Sequence, residues 1–130
     1  MKMRDTPLWS WHVIAGLVIL VLLGLHMGMM HINGILHLTV FNPEVDKAPI
    51  DWENVAHRGR QVSFVVIYVL LLAAGLFHGL YGLRNILFEL NPKPGVKSTI
   101  SIVLLLVGIV LMVFGTWAAF VARTTALAAT

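Results

Sequence analysis

The fold is decided by the apolar stretch from Val62 to Leu83, which reads VSFVVIYVLLLAAGLFHGLYGL. It is longer than the roughly 18 apolar residues that indicate a membrane-crossing helix. Two further runs of this kind, Val13–Ile32 and Ser98–Ala122, lie on either side of it. We therefore predict an all-α, integral membrane protein. Residues 1–130 form one transmembrane domain of three transmembrane helices, at about 8–32, 55–90 and 98–123.

The composition supports a membrane protein. Of the 130 residues, 58% are hydrophobic and 12% are charged, with a mean hydropathy of +0.88. A soluble domain carries about 25% charged residues, so this chain has too few to cover itself in water. It contains no cysteine, which excludes disulfides, iron–sulfur ligation and thiol catalysis within the chain. The basic residues are dispersed rather than clustered, so we expect no nucleic-acid partner.

Local signals predict where the helices begin and end. Thr6-Pro7 is a favourable start for the first helix, and Asn33-Gly34 is expected to break it. We expect Asp51 to cap a helix that begins before the membrane and continues as the second span. The segment Asn91–Gly95 contains two prolines and predicts a stiff turn before the third helix. In that helix Gly108 and Gly115 share one face, which indicates a packing role.

Basic residues predict the orientation. Lysines and arginines flank the beginning of the first helix and the turn between the second and third: Lys2, Arg4, Arg84, Lys93 and Lys97. Residues 33–60, on the other side, carry three basic and four acidic residues. The positive-inside rule then places the N-terminus in the cytoplasm.

His78 is the most informative residue of the second helix. An ionisable side chain inside a membrane segment is a functional hypothesis by default. Gly75 and Gly82 lie at i−3 and i+4 from it and share its face, so something large could approach the backbone there. One interpretation is an axial haem ligand, and the other is a histidine hydrogen-bonded between helices.

His26, in the first helix, lies at a different depth. At 1.5 Å per residue, His78 is roughly 8 Å and His26 roughly 20 Å from the inner edge of the apolar core. A difference of about 12 Å is too large for two ligands of one metal, so we expect each to serve a different centre completed by a partner chain. His31 competes with His26 as a ligand. His12 lies at the inner interface, where it could anchor the helix or line a quinone or proton path.

The stretch Phe77–Leu87, FHGLYGLRNIL, resembles the small membrane-anchor subunit of succinate dehydrogenase (complex II) and of the related quinol:fumarate reductases. The stretch LGLHMGM at residues 23–29, followed by a long loop, is similar to the actinobacterial-type branch of that family, which also carries a histidine there. The chain length, the three helices and the cytoplasmic N-terminus agree with the resemblance.

The resemblance implies roles for individual residues. His78 would be an axial ligand of haem b, with Gly75 and Gly82 beside the cofactor, and His26 would bind the second haem of two-haem members. Arg84 would suit a haem propionate or the entrance of the quinone site. Many members end this helix with Asp-Tyr, whose phenol binds the quinone, whereas here Glu89-Leu90 stands in that place. The candidate quinone residues are then Tyr81, Asn85 and His12.

The function implied is that of a haem b-binding membrane anchor in a succinate:quinone oxidoreductase of a bacterial or archaeal plasma membrane. One or two haems would be shared with a second cytochrome b membrane subunit. Electrons would pass between an iron–sulfur subunit and a membrane quinone, with menaquinone among the candidates. Succinate chemistry would belong to a flavoprotein subunit, so the chain itself would be non-catalytic. The alternative is a haem-free structural anchor. A metal or proton transport subunit ranks lower because no intramembrane carboxylate accompanies the histidines.

Overall fold

The protein is all-α in a computed structural model that describes residues 6–36 and 51–128, the side chains of residues 6 and 29–36 excepted. Four helices follow one another: α1 (Thr6–Leu36), α2 (Trp52–Arg60), α3 (Val62–Glu89) and α4 (Pro94–Ala128). Three of them, α1, α3 and α4, are long and apolar enough to cross a membrane, which confirms the predicted helical class and the three apolar segments. At most 6% of each apolar window is buried within the chain, so most of their apolar surface faces outward.

The long helices form a single layer with α3 in the middle. Helix α3 packs against both α1 and α4, and within the described residues α1 and α4 do not contact each other. On the α4 side, Gly108 and Gly115 lie opposite leucine side chains of α3. A Cβ added at Gly108 would be 2.9 Å from Leu80 Cδ1, and one added at Gly115 would be 2.5 Å from Leu72 Cδ2. These contacts confirm the packing role predicted for this glycine face.

Helix α2 is a separate element, which corrects the prediction of one continuous helix over about 55–90. Gln61 is extended (φ −82°, ψ 122°) and divides α2 from α3. Asp51 occupies the N-cap position as expected, although its side chain makes no capping hydrogen bond. The break arises because α2 is amphipathic and turns one face toward the other helices. Helix α2 buries Asn54 and Ala56 and packs against α3 and α4, which a straight continuation of α3 could not do.

Three other helix ends differ from the predicted ones, and one of them is the end of α4, which lies at Ala128 rather than near residue 123. Helix α1 continues through Asn33-Gly34 to Leu36, because an internal glycine only lowers helix stability and does not forbid the helix. Helix α4 begins at Pro94 rather than near Ser98, since proline is well tolerated in the first turn. The predicted turn is present, and Asn91 ends α3 with a left-handed backbone (φ 50°), a conformation that asparagine tolerates.

Candidate functional site

The candidate site is built around two histidine rings that stack between α1 and α3. The ring centroids of His12 and His78 are 4.0 Å apart, and the rings are within 6° of parallel. His78 Nδ1 lies 3.0 Å from the carbonyl oxygen of His12. Sequence reasoning selected each histidine separately, but it did not predict that they meet.

Two glycines make this close approach sterically feasible. A Cβ at Gly16 would lie 3.0 Å from Cε1 and 3.2 Å from Nδ1 of His78, and a Cβ at Gly82 would lie 3.3 Å from Cε1 of His12. Each glycine follows the histidine of its own helix by four residues, so the two helices make the same contact in opposite directions. The repeated spacing of histidine and glycine is the signal by which the sequence could have identified the pair.

The contact between His78 Nδ1 and the carbonyl of His12 is a hydrogen bond only when Nδ1 carries the proton. A backbone carbonyl only accepts hydrogen bonds, so Nδ1 must be the donor. In a neutral imidazole the other nitrogen, Nε2, then carries the lone pair. This is the state in which an imidazole can bind a metal through Nε2.

The glycine face predicted beside His78 is divided between two surroundings. Gly82 faces His12 of α1, whereas a Cβ at Gly75 or Gly79 would meet nothing within 4 Å. Further along the same side of α3, Leu83 is 43% and Ile86 is 62% exposed. At 100° per residue these four positions lie within an 80° sector of the helix. Because the described residues of α1 and α4 do not contact each other, this sector forms an open strip along α3 next to His78.

Tyr81 connects the histidine pair to the end of α3. It is only 8% exposed, and its ring centroid is 5.2 Å from that of His12 and 5.8 Å from that of Phe77. Asn85 follows Tyr81 by one helical turn and is half-buried. Of the three candidate quinone residues, the structure therefore brings His12 and Tyr81 into one cluster and places Asn85 on the same side of the helix.

Arg84 is held in place at the same end of the layer. Its Nε donates to Ser101 Oγ at 3.1 Å, and its Cζ lies 4.3 Å from the ring centroid of Phe88. Ser101 Oγ in turn donates to the carbonyl of Lys97 at 3.0 Å, and Lys97 Nζ lies 5.7 Å from the Phe88 ring centroid. Two cations therefore share one aromatic ring where α3 and α4 are joined.

His26 belongs to a second, separate cluster. Its ring meets Tyr68 edge to face, with centroids 5.6 Å apart. Tyr68 precedes His78 by ten residues of α3, which corresponds to about 15 Å along the helix. The two histidines thus lie at different levels of the layer, in agreement with the separation derived from the sequence. The side chain of His31 lies outside the described residues.

A cavity of about 250 Å³ lies between α2, α3 and α4, near the His26 level. Tyr68 lines it, so this residue contacts both the cavity and His26. Small residues form much of the remaining wall, namely Ala56, Gly59, Ala119, Ala122 and Ala126. Sequence reasoning missed this cavity because it treated α2 as part of the second span.

In the described part of the chain, no group of three or more histidine, aspartate or glutamate side chains is arranged to hold a metal ion. Comparisons with protein-family models, with curated proteins and with solved structures find no match.

Proposed function

We propose that the chain is the haem b-binding membrane-anchor subunit of a succinate:quinone oxidoreductase. The observation that carries this proposal is the position of His78. It lies inside an apolar helix, donates through Nδ1 to a backbone carbonyl, and stands beside an open glycine strip. The stretch Phe77–Leu87 that contains it is the part of the chain that resembles complex II anchors.

The helices would lie in a bacterial or archaeal plasma membrane, with the N-terminus and the turn between α3 and α4 in the cytoplasm. Support comes from the outward-facing apolar surface of the three long helices and from the basic residues at one end of the layer. Arg84 and Lys97 lie at that end, where they could meet an iron–sulfur subunit docking from the cytoplasm. A flavoprotein subunit would then carry the succinate chemistry.

His78 would hold haem b through Nε2. Haem b held there would supply one-electron transfer between the iron–sulfur subunit and a membrane quinone, with menaquinone among the candidates. The residues present fit this group, because the imidazole has the required lone pair and the strip at Gly75 and Gly79 leaves room beside it. Gly82 would act indirectly, by admitting His12.

Of the two stacked histidines, only His78 would hold this haem, because His12 lies ring on ring against it at 4.0 Å. A second cytochrome b membrane subunit would then share the haem with this chain. His26, about 15 Å away along α3, would serve the second haem of a two-haem member.

Electrons would leave for the quinone near the cytoplasmic end of the layer. His12, Tyr81 and Asn85 are the chain's candidates for contact with the quinone head group, and Arg84 lies next to them.

The alternative is a haem-free structural anchor. The hydrogen bond from His78 to the carbonyl of His12 favours it, since a histidine that only ties two helices together would make the same bond. The two functions differ in haem content, which is directly measurable.

The test is the pyridine haemochrome assay and the dithionite-reduced spectrum of the purified complex that contains the full chain. We expect b-type bands that are lost, in whole or in one component, in His78→Ala. His57→Ala is the matched control, because this exposed histidine lies in α2, away from the proposed ligands. Absence of haem from the wild-type complex favours the structural anchor, and unchanged bands in His78→Ala contradict the ligand assignment.

A further inference from the structure

The stacked histidines differ in their surroundings, and this difference bears on which ring nitrogen of each carries the proton. His78 has an acceptor for Nδ1–H, the carbonyl of His12 at 3.0 Å. His12 Nδ1 is buried and has no hydrogen-bond partner among the described residues. We infer that His12 is a positioning residue that fixes His78 as the Nδ1–H tautomer, and that His12 itself takes the opposite, Nε2–H form.

The acceptor is unusually rigid because it is part of a helix. The carbonyl of His12 accepts the N–H of Gly16 within α1 and keeps a second lone pair for His78. It cannot turn away as a side-chain acceptor could. A neutral imidazole has only one N–H, and the nitrogen that donates to this carbonyl has to carry it.

The plane of the His78 ring is fixed as well as its tautomer. The His12 ring covers one face at 4.0 Å, and Gly16 allows α1 to approach so closely that an added Cβ would lie 3.0 Å from Cε1. The His12 ring is itself held, since it lies against Gly82 and Tyr81. Rotation of either ring would require the other to move.

The tautomer of His12 follows from its burial. An Nδ1–H at this position would be a buried donor without an acceptor, which is a costly arrangement. With the proton on Nε2, only a lone pair is left at the buried nitrogen, and no donor is unsatisfied there. The two stacked rings therefore carry their protons on different nitrogens.

The consequence for function rests on the proposed role of His78 as a ligand. A fixed Nδ1–H leaves Nε2 as the coordinating nitrogen before any cofactor binds. Partners that orient a metal-binding histidine in this way typically contribute 10–100-fold to metal affinity. We therefore expect displacement of His78 by Gly16→Ala to weaken haem retention by about this factor.

The test is nitrogen NMR of the full chain with ¹⁵N-labelled histidine in detergent micelles, at a pH where both rings are neutral. Signals are assigned by their loss in His78→Gln and in His12→Gln. We expect His78 to show a protonated Nδ1 and an unprotonated Nε2, and His12 to show the reverse. His78 with its proton on Nε2, or an averaged mixture for either ring, would overturn the inference.

Variants separate positioning from simple structural damage. His12→Phe keeps the carbonyl and the stacked ring, so His78 should remain Nδ1–H. Gly16→Ala should abolish this preference, whereas Gly24→Ala, on the same helix with nothing within 4 Å of its Cβ, should leave it unchanged. A Gly16→Ala protein in which His78 is still only Nδ1–H would contradict the role of the close approach.

The positioning role of His12 and the haem-binding function of the chain can be refuted separately. A chain with the expected tautomers but no haem in its complex would retain the positioning role and refute the haem-binding function. A complex whose haem depends on His78, with the His78 proton on Nε2 before haem binds, would do the opposite.

Discussion

Gly16 is the position where an added methyl group most directly tests the contact between α1 and α3. In Gly16→Ala the new Cβ would lie 3.0 Å from Cε1 and 3.2 Å from Nδ1 of His78. Ordinary contacts of this kind begin at 3.4 Å, so one of the two groups has to move by about 0.4 Å. The imidazole is rigid and already bound to His12 by a hydrogen bond and by stacking, so it cannot move without weakening both.

The expected change in the free energy of unfolding combines a gain in helix stability with a cost of overpacking. Replacing a helical glycine by alanine stabilises a helix by about 0.5–1 kcal/mol. Overpacking a close contact costs about 1–3 kcal/mol. Gly24→Ala should gain the helix stabilisation without the overpacking cost, because its Cβ meets nothing within 4 Å. The helix term largely cancels between the two variants, so Gly16→Ala should be less stable than Gly24→Ala by about 1–3 kcal/mol.

The assay is equilibrium unfolding of the purified full chain by increasing mole fraction of sodium dodecyl sulfate in mixed micelles, followed by circular dichroism. Gly82→Ala provides a graded intermediate, because its Cβ would be 3.3 Å from Cε1 of His12. We expect stability to fall in the order Gly24→Ala, Gly82→Ala, Gly16→Ala. If Gly16→Ala is as stable as Gly24→Ala, the close packing of Gly16 against the His78 ring is refuted.

Three further predictions concern the open strip, the α3–α4 contact and the end of the layer where α3 and α4 are joined. Gly75→Leu should be no less stable than wild type in the same unfolding assay, because it replaces a helical glycine and its Cβ meets nothing within 4 Å. If the strip lies beside the proposed haem, this variant should also lower the haem content of the complex, and unchanged haem content would place the cofactor elsewhere. Gly115→Ala should destabilise the chain by about 1–2 kcal/mol, because its Cβ would overlap the Leu72 side chain. In a double-mutant cycle with Leu72→Ala the two costs should not be additive, and additive costs would mean that the residues do not touch. Ser101→Ala removes the hydroxyl that accepts a hydrogen bond from Arg84 and should lower stability by about 1 kcal/mol in the same unfolding assay. Thr99→Ala is the control, because its hydroxyl is exposed, and it should cost less. Equal costs would argue against the hydrogen bond between Arg84 and Ser101.

The long apolar helices were predictable because each is specified by local sequence. The turn at Asn91–Gly95 and the packing face of α4 were also visible, since proline and glycine act at their own positions. Helix α2 was not predicted as a separate element. Its break at Gln61 depends on where Asn54 and Ala56 are buried against other helices, which no local signal records.

The candidate site was predictable in its parts but not in its assembly. His78 was selected because an ionisable residue is unusual in an apolar helix, and Gly82 because it shares the same face. His12 was placed at the inner interface, with no expectation that it would reach His78. The contact depends on the relative depth and rotation of two antiparallel helices, and the periodicity of each helix alone contains neither quantity.

By itself, the sequence determined the helical class, the three apolar segments and the different depths of His26 and His78, because hydropathy and helical rise act along the chain. The tertiary structure alone decided that His12 and His78 stack, that Gly82 faces α1, and that Gly75 remains open. The physical reason is that these features are properties of a pair of helices. They require the two helices to approach each other closely, and the distance depends on whether a glycine of one helix lies opposite a large side chain of the other.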